Sequence, residues 1–261
     1  MKKGRLKKIV RIIAICLFVS TVSINFSSGQ IDSGNNDKYS VANTSVLPNS
    51  SIAGKTIYFL GSSVTSGAAS LEESFVDYIR KRNNCICIKE AVSGTTLRDS
   101  DAKSYVKRLK NFDTHAKVDA FVCQLSTNDV RSNGIEKLGA TSSSFSEKDF
   151  DITTTTGAME YIILYARNTW NCPVIFYTNS NYHNPDYEKL IARLYELQKK
   201  WAFYIIDLYN SEEINSVSQE QLNLYILPDL VHPRRAGYKL WWTPFFEKYL
   251  YEIIGNNSSP K

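Results

Sequence analysis

The sequence predicts an α/β chain, folded as a three-layer α/β/α sandwich around a five-stranded parallel sheet. Three observations carry this. Five apolar runs of strand length recur between residues 56 and 208. Helical patterns separate them, so successive strands are joined by crossovers rather than hairpins. Runs such as FVCQL and VIFY are near-continuously apolar, as strands buried on both faces are. With 261 residues, 43% hydrophobic and 12% aromatic, the chain can build such a core without a disulfide or metal staple. The same composition excludes collagen-like, low-complexity and disulfide-scaffold classes, and general disorder.

The elements follow in order. Residues 31–53 open on a polar, Gly/Asn/Ser-rich stretch without periodicity and read as a linker. The domain proper is expected over 54–255, with 256–261 as a tail. TIYFLG (Thr56–Gly61) reads as the first strand. Ser70-Leu71-Glu72-Glu73 reads as a capping box opening a helix, with Leu71, Phe75, Tyr78 and Ile79 on one face. A strand over Cys85–Ala91, a helix near Ser100–Asn111 and a strand over Ala120–Leu125 come next. The polar stretch Ser126–Ile152 precedes a helix ending at Trp170 and a strand over Pro173–Thr178. Leu190, Leu194, Leu197 and Trp201 recur at helical spacing. Phe203–Leu208 reads as the fifth strand, followed by a short helix near Gln219–Tyr225. A last helix is expected from Pro233 towards Ile254, kinked or broken at Pro244.

The net charge of +5 belongs to the N-terminus. Lys2, Lys3, Arg5, Lys7, Lys8 and Arg11 stand without an acidic residue in residues 1–30, and removing them leaves −1 over 31–261. The folded part therefore offers no basic excess for a nucleic-acid partner. A cationic start followed by an uncharged, apolar run from Ile12 is the layout of a secretory signal peptide, with an uncleaved signal anchor as its rival. A secreted or envelope-anchored protein is expected, meeting a membrane only through that segment. Cys16 lacks the small residues that precede a lipidated cysteine. Cys85, Cys87, Cys123 and Cys172 sit in or beside apolar runs and read as buried small hydrophobes. No zinc-site spacing is present.

Ligands of a parallel sheet sit outside the carboxyl ends of its strands. Those ends read Gly61-Ser62-Ser63-Val64-Thr65-Ser66-Gly67, then Val92-Ser93-Gly94-Thr95-Thr96, then Ser126-Thr127-Asn128-Asp129. Ahead of the last helix stands Pro228-Asp229-Leu230-Val231-His232-Pro233. Acyl transfer needs a nucleophile, a base, an orienter for the base and donors for the developing oxyanion. Ser63 in a Gly-flanked turn, His232, and Asp229 three residues before it have the chemistry for the first three.

Ser, Gly, Asn and His in that order, on those elements, resemble the SGNH (GDSL-type) hydrolase superfamily over residues 54–255. The resemblance implies a flavodoxin-like sandwich and a serine esterase without cofactor or metal. It implies Ser63, His232 and Asp229 as the triad, and Ser63, Gly94 and Asn128 as the oxyanion hole. Two departures stand out. Ser62 replaces the Asp of the family's GDS, which leaves Ser62 and Ser63 to be told apart; register before Val64-Thr65 favours Ser63. STND replaces the more familiar GxND around Asn128. An α/β-hydrolase elbow is disfavoured, because the second Gly of G-x-S-x-G is missing.

Other residues are read more plainly. A helix begun at Pro233 would put His232 at its positive end, opposing the pull of Asp229 on the imidazole. His115 is expected at the opposite sheet edge. Tyr182 and His183, after the fourth strand, are candidates for lining the substrate cleft. Trp241, Trp242, Phe245 and Phe246 read as packing for the last helix, with sugar stacking as the sharper alternative. Arg234 and Arg235 read as a solvated face. The substrate expected is a short acyl ester, with O-acetyl groups on a glycan as one form. An acyltransferase acting on envelope glycans and a silent glycan-binding domain are the rivals.

Overall fold

A computed structural model describes residues 32–255. The N-terminal signal read over 1–30 and the tail over 256–261 lie outside the described residues. Five strands form one sheet: β1 (Thr56–Gly61), β2 (Ile86–Ala91), β3 (Ala120–Gln124), β4 (Val174–Tyr177) and β5 (Tyr204–Ile206). Their order is β2-β1-β3-β4-β5, every neighbouring pair parallel. The order reverses between β1 and β3, which marks the crevice where this class of sheet binds ligands. Each strand falls within a sequence-predicted run, β1 over its full expected length and the others shortened at one or both ends.

Alternation along the strands sends side chains to two cores. Tyr58, Leu60, Phe121, Cys123 and Phe176 face α3 (Tyr105–Arg108), α4 (Thr155–Trp170) and α5 (Pro185–Trp201). Ile57, Phe59, Val122, Ile175 and Tyr177 face α2 (Phe75–Asn83), α7 (Gln219–Tyr225) and α9 (Thr243–Leu250). β3 and β4 are buried throughout, which is why they carry no polar alternation. The outer strand β2 instead leaves Ile86 and Ile88 exposed. Between the larger elements lie the short helices α1 (Ser63–Ser66), α6 (Glu212–Asn215) and α8 (Arg235–Gly237). Among the described residues no helix is long and apolar enough to cross a membrane.

Several local expectations are corrected. The capping box that opens α2 is Ser74 with Asp77, whose carboxylate accepts the Ser74 amide at 2.9 Å. Ser70 instead spends its hydroxyl on the carbonyls of Gly67 and Glu73. Leu71 is 63% exposed and left-handed, in a turn held by Lys89 Nζ. The helix expected near Ser100–Asn111 shrinks to α3 and a 3₁₀ turn over Leu109–Asn111.

The last helix does not start at Pro233, which pairs with Ile226 in an isolated bridge. It begins at Arg235 as α8, widens to a π turn over Tyr238–Trp242, resumes as α9 with Pro244 in its first turn, and ends in a second π turn over Tyr251–Gly255. Pro244 brings no N–H to the ladder, so a widened turn ahead of it is the physical outcome.

Residues 32–53 do not behave as a tether. They form 3₁₀ turns over Ser33–Asn35 and Asp37–Tyr39, and Ile52 is fully buried. The Asp32 carboxylate pairs with Arg234, and Asn35 accepts the Arg235 amide at 3.0 Å. Gly34 lies so close to Leu224 that a Cβ there would stand 2.2 Å from its carbonyl oxygen. Tyr39 and Val41 also pack on the core beside Ile52, but isolated apolar residues among polar ones leave no periodic pattern to read. Arg234 and Arg235 are accordingly not a solvated face: Arg235 also reaches Glu73 at 2.7 Å.

Candidate active site

The turn after β1 is tightly drawn. A Cβ on Gly61 would fall 1.6 Å from Thr65 Oγ1, so only glycine lets the chain fold back there. Ser62 caps α1 and is fully buried, its amide and hydroxyl both donating to Gln124 Oε1 (2.8 and 3.2 Å). Thr65 Oγ1 donates to the same oxygen at 2.8 Å and stands 2.6 Å from the Tyr177 hydroxyl. This network fixes the start of α1 and points the next residue, Ser63, the other way.

Ser63 Oγ lies 2.8 Å from His232 Nε2, and His232 Nδ1 lies 2.6 Å from Asp229 Oδ2. The other Asp229 oxygen accepts the amides of Val231 and His232 at 2.9 and 3.1 Å, so carboxylate and imidazole are locked in one short loop. Burial pushes the Asp229 carboxyl up. The hydrogen bonds from the His232 ring and those two amides outweigh it and hold the group below the usual carboxylate range. The ionised carboxylate thus fixes the ring with Nδ1–H towards Asp229, leaving Nε2 to accept a proton from Ser63. The helix expected to start at Pro233 begins instead at Arg235, three residues beyond His232.

Gly94 has φ of +80°, and nothing lies within 4 Å of where its Cβ would be. Backbone conformation, not lack of space, calls for glycine here. The residue after it, Thr95, uses its carbonyl to accept both Ser126 Oγ and Asn128 Nδ2 at 3.0 Å. Asn128 Nδ2 keeps its second N–H, and the amides of Ser63 and Gly94 have no hydrogen-bond partner among the described residues. The turns after β1, β2 and β3 therefore carry three unspent donors beside the Ser–His–Asp chain.

Three supporting roles escaped sequence reading, those of Gln124, Arg108 and Asp129. Gln124, buried at the end of β3, accepts the whole Ser62–Thr65 turn; a lone Gln closing an apolar run was the available signal. Asp129 is buried and accepts the Leu97 amide at 2.7 Å and the Thr155 hydroxyl at 3.0 Å, with Arg98 at 3.6 Å. Burial pushes its carboxyl up to about 6, against the lowering effect of those partners.

A folded-state value above the unfolded one means that the native protein holds this proton longer. Stability from this group is therefore greatest at low pH and is lost as pH rises from about 4 to about 6, by roughly 3 kcal/mol. In urea titrations across that range, the advantage of wild type over Asp129→Asn is expected to shrink as pH rises. A constant difference would contradict it.

Of the other candidates, His115 is exposed and its amide bonds Asp113. His183 is exposed, left-handed, and lines a groove with Leu222, Ile226 and Leu230, next in sequence to Asp229. Tyr182 is not brought to the triad: its ring packs on Tyr187 and Tyr209, at 5.1 and 6.0 Å between centroids. Trp241, Trp242, Phe245 and Phe246 are all buried, and Phe246 stacks on Phe75 at 4.1 Å, so they pack the helix rather than present a platform. The four cysteines within the described residues are free thiols. No cluster of three metal-ligating side chains occurs there.

No protein-family model matches the chain, and no curated protein matches it at a significant level. Solved structures do. A protein from Lactobacillus plantarum superposes with a TM-score of 0.62 at 17% identity, over 77% of this chain and 98% of that one. A member of the lipolytic protein G-D-S-L family from Veillonella parvula gives 0.51 at 16% identity, over 77% and 99%. A mutant of an acetyl-xylooligosaccharide esterase from Geobacillus gives 0.53 at 15% identity, over 80% and 98%. At these identities the likeness establishes the fold alone, a three-layer α/β/α sandwich that this chain shares with lipolytic proteins of the G-D-S-L family.

Proposed function

We propose that the protein is a serine esterase that hydrolyses short acyl esters. The observation that carries this is the unbroken chain Ser63 Oγ–His232–Asp229, with links of 2.8 and 2.6 Å, at the crevice between β1 and β3. Ser63 Oγ attacks the ester carbonyl while His232 Nε2 takes its proton. The tetrahedral oxyanion is met by the amides of Ser63 and Gly94 and by Asn128 Nδ2. Collapse expels the alcohol, which receives the proton from His232. Water, activated by the same imidazole, then releases the acid and restores Ser63. Asp229 remains ionised throughout and steadies the imidazolium.

The likeness to an acetyl-xylooligosaccharide esterase supports O-acetyl groups on a glycan as the substrate class. The cationic, then apolar, N-terminal segment supports action outside the cell, secreted or held at the envelope. The test is direct. Purified protein is expected to release p-nitrophenol from p-nitrophenyl acetate, and a fluorophosphonate is expected to modify Ser63, as read by peptide mass spectrometry. Label on Ser62, or neither turnover nor label, would overturn the reading. Acyl transfer to an added sugar outpacing hydrolysis would make it an acyltransferase.

A further inference from the structure

The three oxyanion donors of the proposed esterase sit on three separate turns, and a single buried cation touches the scaffolding of all of them. Arg108, on α3, is only 4% exposed. Its Nη2 donates to Gly61 O at 2.8 Å and to Thr95 Oγ1 at 3.0 Å. Its Nη1 donates to Glu90 O at 2.9 Å, and its Nε to Lys103 O at 2.7 Å. Gly61 ends β1 two residues before Ser63, and Glu90 lies near the end of β2. Thr95 follows Gly94 and closes that turn by donating its hydroxyl to Val92 O at 2.6 Å. Through its carbonyl, Thr95 also holds Asn128. Every donor segment is thus reached from the guanidinium in one or two hydrogen bonds.

The counter-charge is slight. Glu90 Oε1 stands 3.4 Å away on a partly solvated side chain, so most of the guanidinium's bonds go to neutral oxygens. Burying a cation this way costs more than burying an apolar side chain of similar size would. What it supplies is geometry: a rigid planar fork with five N–H donors, able to span carbonyls of different strands at once. A lysine ammonium cannot span them.

We propose that Arg108 is a positioning residue that indexes the Ser63, Gly94 and Asn128 donors to one another before substrate arrives. Preorganised donors stabilise the transition state more than the bound ester, so loss of the fork lowers kcat and leaves KM nearly unchanged.

This rests on the esterase reading, and the experiment separates the two. R108K keeps the charge without the fork; T95V removes one acceptor at nearly constant volume and spares the fold if R108K does not. Both are compared with wild type on p-nitrophenyl acetate, and for inhibition by a trifluoromethyl ketone, to whose carbonyl carbon Ser63 Oγ adds as its proton passes to His232, leaving a hemiketal oxyanion on the same donors. Expected are a fall of about tenfold or more in kcat, KM within about twofold, and a Ki that rises in step with the loss of kcat/KM. Wild-type kcat in folded T95V and R108K, or an unchanged Ki beside a lowered kcat, overturns the positioning role. Absence of Ser63-dependent turnover in wild type would instead overturn the esterase reading itself.

Discussion

Ser63→Ala is expected to lower kcat for p-nitrophenyl acetate by about three orders of magnitude or more, with the circular dichroism spectrum and Tm near wild type. The hydroxyl removed is the one 2.8 Å from His232 Nε2, and no neighbour can take its place. Ser62 is adjacent in sequence but fully buried, with its hydroxyl committed to Gln124. Ser62→Ala is therefore expected to retain measurable turnover while loosening the turn. A residual rate in Ser63→Ala is expected from His232 acting on water beside intact oxyanion donors. Steady-state kinetics on matched, folded samples check this; wild-type turnover in Ser63→Ala would remove the mechanism, and loss confined to Ser62→Ala would move the nucleophile by one residue.

The largest effect on stability is expected at Glu160, on α4. Its carboxylate is fully buried and accepts Lys200 Nζ at 2.6 Å, Trp201 Nε1 at 3.1 Å and the Ser142 amide at 3.0 Å. Lys200 in turn donates to the carbonyls of Ser142 and Ser144 and lies over the rings of Phe145 and Trp201, each at 4.8 Å. This arrangement pins the middle of the long polar stretch between β3 and α4. Glu160→Ala strips a largely buried ammonium of its counter-charge and leaves the Trp201 Nε1 and Ser142 N–H donors without their acceptor, a loss of roughly 3–5 kcal/mol. For a domain of this size that lowers Tm by about 10 °C. Thermal denaturation followed by calorimetry checks it, and a shift of 2 °C or less would mean that the loop carries its own stability.

β1, β3 and β4 were legible because central strands of a parallel sheet must be apolar on both faces, and their runs are too short for a helix and are flanked by turn residues. α7 and the Leu190–Trp201 face of α5 were legible for the same kind of reason. The fold then places the strand ends, and with them Ser63, Gly94 and Asn128. Polar commitments were the illegible part. Ser70 has the sequence signature of a helix cap, and only its hydrogen bonds to the carbonyls of Gly67 and Glu73 decide against it. Arg108 and Arg234 look like surface charges, because nothing in the one-dimensional pattern says which carbonyls lie within reach. Tyr182 follows β4 on the expected side, yet its ring turns onto Tyr187 and Tyr209, a choice made by packing.

The ion pair between Asp32 and Arg234 joins residues about two hundred positions apart, and Arg234 stands two residues from the imidazole. The opening stretch of the described chain is thus a buttress for the loop that accepts the proton, not a leash. A protease cut or a bulky modification between residues 32 and 36 would be felt at His232 as a change in where the ring sits, with every member of the triad still present.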